Sequence, residues 1–272
     1  MIIFELLQYP FMQRALLGGL VLGFLMAYMG VFVVLRRVAF FGEGIAHASL
    51  TGIAIGVLAA YNPLLTAIGV AIIFAAAVFY LERKTTIHPD ALIGILFPSL
   101  MSLGVVLLSL QKGYQPDLIS FLFGNILTIK SSELITMVIF SVLAVIFLTS
   151  LYRQIVFSAF DKEGAEISGI STDLIDFIFY ILLAITVVLG VKMLGIILVS
   201  ALLVIPTSIG KLLARSLKNL TLISVVVAEA VVVGGIALSY LFDIPTGATI
   251  ILFGATIFFA VLFGKRLAGR VL

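Results

Sequence analysis

Apolar residues in this chain come in long, nearly unbroken runs separated by short polar breaks. Nine can be drawn: roughly 11–35, 43–60, 63–82, 90–110, 131–151, 174–191, 193–214, 219–242 and 245–267. Each is near the about 20 residues, or about 30 Å of helix, that cross the hydrocarbon core of a bilayer. The pattern predicts an all-α fold: one polytopic transmembrane helical bundle of about nine spans over residues 1–272. Spans two and three, six and seven, and eight and nine are joined by very short turns, so the helices of each pair run antiparallel.

The breaks carry helix punctuation. Asn62-Pro63, Pro89-Asp90 and Asp243 before Pro245 stand at span starts, where the N–H that proline lacks would be unpaired anyway. Pro98 and Pro206 fall inside spans four and seven and are expected to kink or break them. Residues 118–127 are too short to cross a bilayer. With Pro116-Asp117 at their start and Gly124-Asn125 near their end, they read as an external or re-entrant half-helix. Such an element either gates a pore, through Asp117, Phe121, Gly124 and Asn125, or lies on the surface. The loop 152–173 holds Asp161, Lys162, Glu163, Ala165 and Glu166 before Gly169, compatible with a short force-transmitting helix or with a solvated loop. Ser171 or Thr172 is available to cap the next span. In spans one and two, Gly19, Gly23 and Ala27, and Gly44, Ala48, Gly52 and Gly56, recur every four residues, a spacing that lets helices approach closely in lipid.

Composition sharpens the membrane reading. The chain is 63% hydrophobic and 11% charged, against roughly 45–50% and 25% in soluble domains. A net charge of +3 and a pI near 9.2 would suggest nucleic acid in a soluble protein, but here the basic residues sit at span ends. If the loop after span five is cytoplasmic, the inner segments hold Arg36, Arg37, Arg83, Lys84, Arg153, Lys162, Lys211, Arg215, Lys218, Lys265, Arg266 and Arg270, which is 12 of the 16 Lys and Arg. Arg14, Lys112, Lys130 and Lys192 remain outside. That bias places the N-terminus outside and the C-terminus inside. The start, MIIFELLQYPFMQ, has no basic region or small-residue cleavage site, so the first span is expected to be retained. The lack of cysteine excludes thiolate metal ligation, iron–sulfur centres and disulfides. No GxxxxGK[ST], GxGxxG or HExxH pattern occurs, which leaves no nucleotide site or intramembrane metalloprotease signature. Active transport would then draw energy from another subunit or from an ion gradient. The absence of an internal repeat argues against a secondary transporter or channel working without an ATPase, which stays as the alternative.

The candidate chemistry lies in span two. FFGEGIAHASLTGIAIGVLAA (40–60) places Glu43 four residues before His47, on one helix face and roughly 6 Å apart along the axis. An ionised acid inside a membrane costs on the order of 3 kcal/mol unless compensated. A passing divalent metal ion would compensate it; so would a structural pair in which His47 donates to Glu43. Imidazole and carboxylate together suit zinc first, then manganese or iron, as transported substrate with no permanently bound cofactor. Two such ligands from each of two copies would complete a four-coordinate site. Glu229, central in span eight, has no basic partner at helical spacing and is expected either to be protonated within the bundle or to line the path. His88, beside Asp90 at the inner mouth of span four, is a second alternative along the path, while helix-start placement explains Asp90.

Several segments, in order, resemble the membrane permeases of bacterial metal-importing ABC transporters, the ABC-3 permease family. They are GVFVVLRRVAFFGEGIAHASLTGIAIG (30–56), Asp90 with Ile93-Gly94, DLISFLFGNIL (117–127), FDKEGAEISGI (160–170), GIILVSALLVIPTSIGKLLA (195–214) and LFDIPTGATIIL (241–252). The resemblance spans nearly the whole chain. It implies a homodimeric permease in the bacterial inner membrane, not itself an enzyme, working with two cytoplasmic ABC ATPase subunits and an extracytoplasmic metal-binding protein. It also implies a metal-path role for Glu43 and His47 and an ATPase-coupling role for Asp161, Lys162, Glu163, Ala165, Glu166 and Gly169. The chain departs from the family where Asp is the commoner acid at Glu43, and where Ser commonly precedes the histidine in place of Ala46.

Overall fold

The structure is a computed structural model and describes residues 8–110 and 129–267. The predicted half-helix, with Asp117, Phe121, Gly124 and Asn125, lies outside the described residues. Among the described residues, nine helices are long and apolar enough to cross a membrane. They are α1 (Pro10–Leu35), α2 (Ala39–Leu58), α3 (Pro63–Lys84), α4 (Pro89–Ser109), α5 (Ser131–Ser150), α8 (Thr172–Leu194), α9 (Ile196–Leu213), α10 (Leu217–Phe242) and α11 (Thr246–Leu267). Two short helices, α6 (Tyr152–Phe160) and α7 (Lys162–Ile167), fill the loop after α5. The expected loop helix is therefore formed, and α6 is an addition to it.

Local signals account for the ends. The Asn62 side chain accepts from the Leu64 N–H at 3.0 Å and caps α3, and Ser216 does the same for α10 through Asn219. Asp90 lies within the first turn of α4, behind an N-cap at His88, where a carboxylate favours the helix dipole. Ser171 occupies the N-cap position of α8, but its hydroxyl makes no capping bond. The turn between α1 and α2 is tight: Arg37 takes the left-handed conformation, φ 59°, and the Val38 N–H reaches the Val33 carbonyl at 3.1 Å.

Neither internal proline interrupts its helix. Pro98 lies within α4 and Pro206 within α9, and both helices run through. Neighbouring helices pack closely around Pro206: it is buried, Gly30 of α1 lies directly against the Leu203 carbonyl, and Thr207 Oγ1 donates to the Ala27 carbonyl at 3.5 Å.

Two helix groups share the core. Around α2 pack α3, α4, α8 and α9; around α1 pack α5, α9 and α10, with α11 behind α9 and α10. The small-residue row of α2 is the contact face: a side chain at Gly52 would overlap the Ala67 backbone of α3, and one at Gly104 of α4 would come within 3.0 Å of Thr51. Close backbone approach replaces the hydrophobic drive that lipid does not supply. Phe32, Phe41, Phe74 and Phe179 are fully buried. With Tyr180, whose ring centroid lies 4.4 Å from that of Phe41, they join α1, α2, α3 and α8 near the end rich in Arg and Lys.

Candidate functional site

Glu43 and His47 lie in the first half of α2, with α4 alongside. The Glu43 side chain is 44% exposed and that of His47 16%, so the acid is open while the imidazole is mostly covered. Phe97 of α4 provides the cover, its ring stacked on His47 at 5.3 Å between centroids and 28° between planes. Gly44, beside Glu43, leaves room for Phe74 of α3 and Ile93 of α4 to pack closely. The Thr51 hydroxyl, one turn beyond His47, donates to the Leu100 carbonyl and ties α2 to α4.

The nearest approach of the pair is 3.9 Å, from His47 Nε2 to Glu43 Oε1. This is beyond hydrogen-bond distance but within ion-pair range, so the two side chains face each other without a hydrogen bond between them. His47 Nδ1 is buried without a hydrogen-bond partner, and Nε2 is the nitrogen turned toward the carboxylate. Zinc–nitrogen and zinc–oxygen bonds are each roughly 2.1 Å, and a tetrahedral zinc holds two such donors about 3.4 Å apart; the two atoms are 3.9 Å apart, so they would have to draw about half an ångström closer to share one ion. Among the described residues no group of three or more His, Asp or Glu converges. A four-coordinate site therefore needs donors from beyond them.

The remaining predicted residues fall in three other places. His88 is exposed at the start of α4, and its neighbour Asp90 lines a cavity of about 590 Å³ with Arg37, Phe40, Ser208 and Lys211. Glu229 lines a groove between α1 and α5 whose walls include neither Glu43 nor His47. The segment 161–169 forms α7. Asp161 accepts from the Gly164 N–H at 2.8 Å, Ala165 is buried, and Glu166 Oε1 accepts from the Thr172 hydroxyl at 2.6 Å. Gly169 closes the helix at φ 81°, where a side chain would be strained. Glu163 lies in the first turn of α7, and Phe160 and Ile167, 67% and 88% exposed, flank it with uncovered apolar surface.

An ion-pair network that single-helix patterns did not reveal links α7 to the bundle. Arg36, at the end of α1, pairs with Asp176 of α8 and donates to Ser158 of α6 at 2.9 Å. Arg83, at the end of α3, pairs with Asp173 and, at 3.0 Å, with Asp176. Lys162 of α7 reaches Asp173 at 3.6 Å. The groups border a cavity of about 1010 Å³ beside α7. The available sequence signal was an arginine closing each of two apolar runs, Arg36 and Arg83, and two aspartates three apart on one helix face.

The profile of the ABC 3 transport family matches residues 8–265. The chain belongs to that family. Relatives of the ABC 3 chain include the high-affinity zinc uptake system membrane protein ZnuB of Haemophilus influenzae, 32% identical, the match covering 95% of this chain and 99% of the relative. The manganese transport system membrane protein MntC of Listeria innocua is 31% identical over 96% of this chain and 93% of its own. Among solved structures, PsaBC from Streptococcus pneumoniae in complex with Fab aligns with a TM-score of 0.84 and 27% identity, over 96% of this chain and 94% of that one. The polytopic helical bundle read from the apolar runs is thus the fold of an ABC 3 transport protein.

Proposed function

We propose that this chain is the membrane-spanning permease of an ATP-driven importer for a divalent transition metal ion, zinc first, with manganese or iron next. The ion passes between Glu43 and His47. The observation that carries this reading is the 3.9 Å gap between His47 Nε2 and Glu43 Oε1, two unspent donors facing each other inside a spanning helix, where an uncompensated acid is costly. The names of the Haemophilus and Listeria relatives, a zinc uptake protein and a manganese transport protein, support the same substrate class.

Two copies make the passage. The outward surface of α4 exposes Gly94, Pro98, Ser99 and Ser102 among the larger Ile95, Leu103 and Val106, and a second copy covering it would bring its own Glu43 and His47 to complete the coordination sphere. The Arg- and Lys-rich end faces the cytoplasm of a bacterial inner membrane, with the N-terminus outside. There α7, with Glu163 and the uncovered Phe160 and Ile167, docks a separate ATPase, which hydrolyses the ATP. An extracytoplasmic binding protein delivers the ion at the opposite end.

Reconstitution of the permease with its ATPase and binding protein in liposomes, followed by metal-resolved uptake, tests this. ATP-dependent accumulation of zinc or manganese is expected. Uptake driven by an ion gradient without ATP would contradict the reading.

A further inference from the structure

Glu229 stands near the middle of α10 and takes no part in the passage described above. Its side chain runs past Gly23 of α1, where a Cβ would lie 4.0 Å from Glu229 Oε1. It enters a groove of about 480 Å³ between α1, α5 and α10. Leu20, Val21, Phe24, Val138, Val142 and Val145 form most of the wall. The one other polar group there is Ser141, which is 4% exposed and whose hydroxyl has no hydrogen-bond partner. No described residue pairs with the Glu229 carboxyl. Val142 and Phe24 of its wall are 52% and 38% exposed and stand near the middle of their spanning helices.

An acid and a buried hydroxyl, both unpartnered in hydrocarbon, are each costly unless something occupies the space between them. The occupant that suits the groove has an apolar body for the valine, leucine and phenylalanine walls, a positive charge for the carboxylate, and an N–H for the serine oxygen. A fatty acid would repel Glu229, and a plain acyl chain would leave both polar groups unsatisfied. The volume lies within the roughly 300–1,000 Å³ of small-molecule sites. On α5 the lining from Val138 to Ile146 covers about 12 Å of helix, long enough for a short alkyl body. We infer that this groove binds a lipophilic amine taken laterally from the bilayer, its ammonium on Glu229 and its N–H on Ser141.

Thermal unfolding of the full-length permease in lipid nanodiscs, with dodecylamine or dodecanol added at equal mole fraction, tests the site. Dodecylamine is expected to raise the midpoint about 3 °C further than dodecanol. Glu229→Gln, nearly isosteric, should abolish that difference, and Ser141→Ala should reduce it. Equal shifts by the two additives, or a difference that survives Glu229→Gln, would overturn the proposal. A photo-reactive side chain at Val142 in native membranes supplies a second readout. An adduct of small mass, displaced by dodecylamine, is expected; an adduct to a polypeptide, whether a second copy or another protein, would make the groove a protein interface and overturn the assignment.

Discussion

At the scale of single residues, the account rests on two donors that face each other without bonding. Glu43 supplies charge and an open approach; His47 supplies a nitrogen whose ring is held flat by Phe97. Glu43→Gln and His47→Ala are each expected to cut metal uptake at least about tenfold while the permease still co-purifies with its ATPase. Normal uptake by either variant would remove the pair from the path. Glu43→Asp keeps the carboxylate one methylene further from Nε2, so it should weaken uptake less than Glu43→Gln, as a concentration series will read. Phe97→Ala frees the imidazole, and should raise the metal concentration for half-maximal ATP hydrolysis by about tenfold with the maximal rate little changed. The spacing of Glu43 and His47 was legible because i and i+4 share a face on any helix. The role of Phe97 was not, because it depends on how α4 is registered against α2, and no periodicity within one helix encodes that.

At the scale of elements, the network of Arg36, Arg83, Asp173 and Asp176 joins α7 to the ends of α1 and α3, and α1 leads in one tight turn into the helix that carries Glu43. A push on α7 would therefore reach α2 through charged side chains. Arg36 and Asp176 are only 9% and 18% exposed, so removing one partner strands a charge, a loss of about 3 kcal/mol at the lower end for buried pairs. Asp176→Asn is expected to lower the unfolding midpoint and to leave ATP hydrolysis running with little metal uptake. Unchanged coupling would show that force takes another route. Glu163→Arg reverses a charge in the first turn of α7 and should weaken ATPase association; if association and metal-stimulated hydrolysis are both untouched, α7 is not the docking element. The nine spans were legible because uninterrupted apolar length is a strong signal, and α7 because Asp161 and Gly169 punctuate it. Helix α6 escaped notice because Tyr152, Arg153 and Gln154 at its start resemble the polar loop around them. The prolines do not break their helices: their effect depends on neighbours, and α9 packs against Gly30 and Ala27 around Pro206.

At the scale of the whole molecule, the bundle encloses α1 and α2 most fully and leaves α4, α5 and α11 most open. Basic residues gather at one end: Arg36, Arg83 and Lys162 around α8, and Lys265 reaching the Leu212 carbonyl at the end of α9. At the other end Lys192 pairs with Glu133 at 2.9 Å, and Arg14 lies beside Ser131. On the proposed reading, Glu43 and His47 lie toward the open side of α4, which a second copy would cover, and α7 would face the ATPase. The fold class and charge asymmetry could be read from sequence because both are one-dimensional properties. The homodimer came only from the resemblance, because which face would pair depends on which helix faces remain uncovered once the chain has packed. The most direct test is an anomalous difference map, collected at the zinc absorption edge from the assembled transporter loaded with zinc. The account predicts one peak shared by the Glu43 and His47 side chains of the two copies, absent in His47→Ala; zinc bound along the passage with no peak at that position would contradict it.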